Sequence, residues 1–126
     1  MGLYIVANID GNVISSTDGL VWSAPFNTGI NIGKVAVGPN RIVYTGSDGD
    51  GTITTPYGLF HTPVWNETPV LVPGTEGYYF NEVHYLGGKF VAVGYQIGMV
   101  KVPLFMYSSN GSDWTLGNLD PEYDFF

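Results

Sequence analysis

Short runs of β-branched and aromatic residues, bounded by Gly, Asn or Pro, recur along the whole chain. Within them side chains alternate with a period of two, as where Val91 and Val93 alternate with Ala92 and Gly94, or Tyr85 with His84. That alternation predicts half-buried strands. No ten-residue stretch combines helical periodicity with a capping residue. Three segments resemble one another: GLYIVANIDG at 2–11, NRIVYTGSDG at 40–49 and GKFVAVGYQIG at 88–98. Each leads, after an insert of variable length, to a second run that ends in tryptophan: NVISSTDGLVW, GLFHTPVW and LFMYSSNGSDW. The tryptophans, Trp22, Trp65 and Trp114, stand 43 and 49 residues apart. A period in the forties with several short strands per unit is the signature of a propeller blade or a similar β array.

The third unit shows its four strands most clearly, as NEVHYLG, KFVAVGY, PLFMYSS and DWTLG. Gly87-Gly88 supplies a two-residue hairpin turn between the first two, because such turns need positive φ at both central residues. Pro39-Asn40 marks the corresponding turn in the second unit. The first unit starts abruptly at its second strand. The expected fold is therefore all-β: four-stranded antiparallel propeller-type blades, about two and three-quarter repeats in one domain, 1–126, with units at approximately 1–31, 32–73 and 74–126.

Ser16-Thr17-Asp18-Gly19-Leu20-Val21-Trp22 resembles the Asp-box, or BNR-type, repeat of sialidase-like β-propellers and of phage virion structural proteins. The element returns as Ser108-Ser109-Asn110-Gly111-Ser112-Asp113-Trp114, with Asn for Asp, and GKFVAVG leading into YSSNGSDW is phrased as in that family. The second unit departs from it, since LFHTPVW lacks the Asp-Gly turn and carries Pro63. The resemblance implies turns built on Ser16, Asp18 and Gly19 and on Ser108, Asn110 and Gly111. Asp or Asn would accept backbone N–H bonds across the turn and Gly would take the left-handed position. Trp22, Trp65 and Trp114 would be buried packers between layers.

Composition narrows the function. Four basic and eleven acidic residues leave a net charge of −7, too few cations to neutralise a nucleic-acid backbone. Without cysteine there are no disulfides, thiolate chemistry or Cys-type zinc sites. The opening MGLYIVANIDG lacks a basic leader and meets Asp10 too soon for a signal peptide, and Val6 stands where a myristoylation signal needs Ser or Thr. No apolar run is long enough for a membrane helix, so no membrane insertion is expected.

Candidate chemistry is sparse. Sialidases grip their substrate with three arginines, and this chain has only Arg41. Asp48-Gly49-Asp50-Gly51 reads like the middle of an EF-hand loop. Aligned so, its first position is Gly46 and its twelfth is Tyr57, so both the first oxygen and the bidentate carboxylate are missing, and Pro56 opposes the exiting helix. A turn-rich loop is expected there, with a weak calcium site on Asp48 and Asp50 as the other reading. His61 and His84 have no metal-ligand spacing. No G-x-S-x-G elbow or phosphate-cradling glycine loop is present. No catalytic residue, metal or cofactor is expected. Tyr57, Phe60, Tyr78, Tyr79 and Phe80 fall in loops or at unit junctions, where they suit either packing or stacking on sugar rings. The ending DPEYDFF places Tyr123, Phe125 and Phe126 where a next unit would begin, which suits an assembly tail.

Fewer than three units leave open flanks and unpaired edges that a soluble protein must cover. Oligomerisation or assembly is the expected solution, with copies of itself or other virion proteins as partners. The function expected from the resemblance is a non-enzymatic structural component of a bacteriophage virion, located in the tail, fibre or capsid surface and contributing to host attachment. The alternative is an oligomeric carbohydrate-binding β-propeller lectin, with a glycan as ligand.

Overall fold

The computed structural model describes residues 3–48, 57–96 and 103–117. Among the described residues eleven strands and no helix form three antiparallel sheets, so no helix there is long and apolar enough to cross a membrane. The first sheet holds β1 (Tyr4–Ala7), β2 (Asn12–Ser16) and β3 (Phe26–Asn27). The second holds β4 (Ile30–Val37), β5 (Ile42–Asp48), β6 (Tyr57–Thr62) and β7 (Val70–Leu71). The third holds β8 (Tyr78–Leu86), β9 (Lys89–Gln96), β10 (Pro103–Ser108) and β11 (Thr115–Leu116). Each sheet is a meander in chain order. Strand β4 begins at Ile30 and so runs across the unit boundary expected at 31–32.

Local sequence chemistry sets the hairpins. Gly87 and Gly88 have φ of 59° and 84°, and Leu86 pairs with Lys89 across them. The β4–β5 hairpin closes with the Gly38 amide donating to the Arg41 carbonyl at 2.9 Å, with Pro39-Asn40 at its tip. The connections between sheets each bury a threonine. Thr28 Oγ1 donates to the Gly11 carbonyl, and Thr75 Oγ1 donates to the Val72 carbonyl, both at 2.7 Å.

The second and third sheets share a further device. In β4, Ile32 pairs with Gly46 and Lys34 with Thr45, leaving Gly33 as an extra residue. In β8, Phe80 pairs with Gly94 and Glu82 with Val93, leaving Asn81 extra. Two β-bulges thus stand at matching places, each opposite a glycine, and each bends its strand locally.

Two apolar layers hold the sheets face to face, with the second sheet in the middle. One layer joins Val13, Ile5, Ala7 and Phe26 of the first sheet to Ile30, Ile32, Ile42, Tyr44 and Phe60 of the second. The other joins Ala36, Val43 and Leu59 of the second sheet to Phe80, Val83, Phe90, Ala92 and Met106 of the third. Phe60 and Phe80 are therefore buried strand residues rather than loop aromatics, because alternation within β6 and β8 turns them inward.

Tyr44 sits fully buried in the first of these layers, and its hydroxyl has no hydrogen-bond partner among the described residues. Burial pushes its phenol up to about 12, so in the folded chain it resists ionisation that starts near pH 10 in the unfolded one. This contribution to stability is complete below pH 10 and is lost as pH rises toward 12. An orphan hydroxyl costs about 1–3 kcal/mol, so Tyr44→Phe should raise stability by up to that amount. A urea titration checks it, and a lowered midpoint would mean that the hydroxyl has a partner.

Candidate functional site

Strand register defines equivalent positions in the three sheets. Tyr4 pairs with Ser16, Ile42 with Thr62, and Phe90 with Ser108, each at the end of the strand that precedes the variable turn. The three hydroxyl residues Ser16, Thr62 and Ser108 are all buried. Ser16 Oγ accepts the amides of Asp18 and Gly19 at 3.2 and 2.8 Å, and Asp18 Oδ1 accepts those of Leu20 and Val21 at 2.8 and 3.0 Å. Ser108 Oγ accepts the amides of Asn110 and Gly111 at 3.2 and 2.7 Å, and Asn110 Oδ1 accepts those of Ser112 and Asp113, both at 2.9 Å. In both turns the serine hydroxyl donates to the Asp or Asn oxygen at 3.0 Å, and Gly19 and Gly111 have φ of 79° and 85°.

The Asp-to-Asn exchange has a local cause. Asn110 Nδ2 donates to Asp113 Oδ2 at 2.9 Å, where the first turn has Val21. A second carboxylate at position 110 would face Asp113 as a like charge. Asp18 has no such neighbour, and the amides of Val21 and Leu20 hold its carboxyl below the ordinary range. In the second sheet Thr62 Oγ1 instead donates to the Val64 carbonyl at 2.8 Å across Pro63, and no such double turn forms.

The tryptophans divide. Trp114 packs on Phe90 with centroids 6.2 Å apart, and its Nε1 donates to the Gly111 carbonyl at 2.8 Å. Trp65 meets Phe26 edge-on at 6.5 Å, against the layer between the first and second sheets. Trp22, expected to be a buried packer, is instead 37% exposed. The reason is positional. Trp114 and Phe90 lie between the third sheet and the second, whereas among the described residues no sheet precedes the first. Tyr4 and Val6, the counterparts of the buried Phe90 and Ala92, are each 53% exposed for the same reason.

Arg41 links the second and third sheets. Its guanidinium donates to His61 Nδ1 at 2.9 Å, and its stem lies beside Gly111. Burial, then the Arg41 charge, lowers the His61 pKa, with Asp113 opposing. Below pH 6.5 the unfolded chain takes up a proton that folded His61 resists, so stability is lost as pH falls through the lowered folded value. His61→Gln, whose carbonyl can still accept from Arg41, should flatten this part of the acid limb in urea midpoints measured downward from pH 6.5. An unchanged limb would show that His61 contributes nothing to it. His84 is exposed and reaches Glu82 at 3.2 Å, and Lys34 lies 3.7 Å from the same carboxylate.

A cleft of about 340 Å³ opens where the two bulges approach each other. Its walls are Asn31 to Lys34 of β4, Thr45 to Ser47 of β5, Tyr57 of β6 and Tyr79 to Asn81 of β8, with Ile9 at one end. Tyr57 and Tyr79 are 40% and 39% exposed, with centroids 5.5 Å apart. Tyr95 stacks on Tyr79 at 5.5 Å with the planes at 30°. The Oδ1 of Asn81 is buried with no hydrogen-bond partner among the described residues. The Lys34 amide donates to Thr45 Oγ1 at 3.0 Å, and a Cβ on the neighbouring Gly33 would lie 2.9 Å from that same oxygen, so the bulge is closely packed against Thr45. Sequence reasoning placed Tyr57 and Tyr79 at junctions but gave no sign that they converge, and it passed over Asn31, Gly33 and Asn81 altogether.

Among the described residues no three His, Asp or Glu side chains are grouped to hold a metal. Asp50 of the EF-hand-like stretch and the tail residues Tyr123, Phe125 and Phe126 lie outside the described residues, as does the side chain of Asp48. The chain matches no protein-family model and no curated protein.

Proposed function

We propose that the chain is a non-enzymatic structural protein of propeller type that completes its circle of sheets with a second copy, as a component of a bacteriophage virion. What carries the assembly reading is one observation. Tyr4, Val6 and Trp22 on the first sheet are exposed where their counterparts Phe90 and Ala92 are buried and Trp114 is partly buried against the neighbouring sheet. Among the described residues the first sheet also has three strands where the others have four, and no strand pairs with β1 at the place that β4 and β8 occupy in theirs. The outer face of the third sheet carries Val91, Val93, Phe105 and Tyr107, the positions that Val43, Thr45, Leu59 and His61 occupy on the face of the second sheet toward the third. One copy's third sheet is thus built to cover another copy's first sheet. The contact is head-to-tail, and it ends in a closed particle only if the rotation closes. Two copies bring six sheets, within the range of about 4–8 blades in propellers. The virion assignment rests on the likeness of the Ser16–Trp22 and Ser108–Trp114 turns to the Asp-box of phage structural proteins.

The purified chain should run as a discrete dimer in native mass spectrometry and light scattering. Val6→Glu, which sets a charge in the exposed face without touching a core layer, should return it to monomer. A wild-type monomer at the highest soluble concentration would exclude self-closure. Immunogold labelling with an antibody to the chain tests the virion assignment, and unlabelled particles of the phage that encodes it would overturn that part.

A further inference from the structure

We propose that the cleft between the second and third sheets binds an uncharged pyranose. This goes beyond the assembly reading and does not depend on it, because every wall of the cleft comes from within one chain. A pyranose is amphipathic: axial C–H groups make one face apolar, while hydroxyls ring its edge. The cleft repeats that division. Tyr57 and Tyr79 form an aromatic wall that suits the C–H face, and aromatic rings with a polar tip suit such half-wet contacts. Tyr79 is held in place by its stack on Tyr95, so less side-chain freedom is lost on binding. Beside the rings stand the polar groups: Ser47 pairs with Tyr57 and Asn31 with Ser47 across the second sheet, and Asn81 follows Tyr79 by two residues in β8.

Asn81 is the most informative of these. It is the extra residue of the β8 bulge, and bulges recur where a strand re-aims a side chain at a site. Its buried oxygen lacks a partner among the described residues, and a sugar hydroxyl is the donor that would satisfy it. The matching bulge in β4 puts a glycine, not a side chain, on the facing wall. The volume lies at the small end of ligand pockets, which run to about 300–1,000 Å³, and suits one or two sugar units. Charge argues against an acidic sugar: among the described residues Lys34 is the one cation in the wall, Glu82 already lies beside it, and the whole chain carries −7.

The test is a backbone-amide NMR titration of the full chain with methyl glycosides of glucose, galactose, mannose and N-acetylglucosamine, together with an array of neutral and sialylated glycans. At least one neutral pyranose should shift the amides of Gly33, Ser47, Tyr79 and Asn81 saturably. Tyr57→Ala and Tyr79→Ala should each weaken binding roughly tenfold, as loss of an aromatic contact does. Tyr57→Phe should retain binding. Asn81→Ala should weaken it without lowering the urea midpoint, which a merely structural role for that side chain would not allow. The proposal is overturned if no neutral sugar shifts these amides, if shifts map elsewhere, if only sialylated glycans bind, or if the folded double variant Tyr57→Ala/Tyr79→Ala binds as before. A chain that binds sugar as a monomer would uphold this site while defeating self-closure.

Discussion

Replacing Gly94 with alanine is expected to destabilise the chain by at least about 3 kcal/mol, at or beyond the upper end of ordinary overpacking. Gly94 is buried in β9 opposite the β8 bulge. A Cβ there would collide with the Tyr79 carbonyl oxygen and lie 2.8 Å from the Phe80 Cα. Both obstacles are backbone, so no rotamer change relieves them. The bulge would have to open, and with it the pairing that seats Phe80 in the core. Gly46 stands in the same relation to Asn31, and Gly46→Ala should cost a similar amount. Chemical denaturation measures both. A loss under about 1 kcal/mol in either would show that the strand slips past its bulge at little cost.

The second large effect separates two tryptophans that look alike in sequence. Phe90 is 1% exposed at the junction of the second and third sheets, and Phe90→Ala should cost about 3–5 kcal/mol. Trp114 is only partly buried against it, so Trp114→Ala should fall near the lower end, about 3 kcal/mol. Trp22→Ala should cost less than Trp114→Ala in a dissociated chain, since Trp22 is 37% exposed and belongs to neither core layer, yet it should weaken dimerisation. Equal losses at Trp22 and Trp114, measured under dissociating conditions, would falsify the assignment of Trp22 to an open face.

How far sequence could reach is visible at particular residues. The hairpin at Gly87-Gly88 and the Ser-x-Asp/Asn-Gly turns were legible because each depends on side chains within a few positions of one another. The start of β8 was not. In Phe80-Asn81-Glu82-Val83 two residues separate the buried positions instead of one, so the period-two signal breaks at the bulge and the preceding tyrosines read as a junction. The same break at Gly33 shifts the apparent start of β4. Trp22 was misplaced because its motif reports the turn, while its exposure depends on whether a sheet lies in front of it. The cleft escaped for a related reason: Tyr57 and Tyr79 meet only through the packing of two sheets, a non-local event that no window along the chain records.

The meander order of all three sheets also shapes how the molecule comes into being. Every described strand pairs only with its neighbours in sequence, so each sheet can form from a short stretch of chain without waiting for a distant partner. Local contacts of this kind keep contact order low for an all-β protein and favour rapid folding, sheet after sheet as the chain is synthesised. In the proposed dimer the slow event is the encounter of two already folded chains. Its rate rises with concentration, so dilution should delay maturation without slowing folding itself.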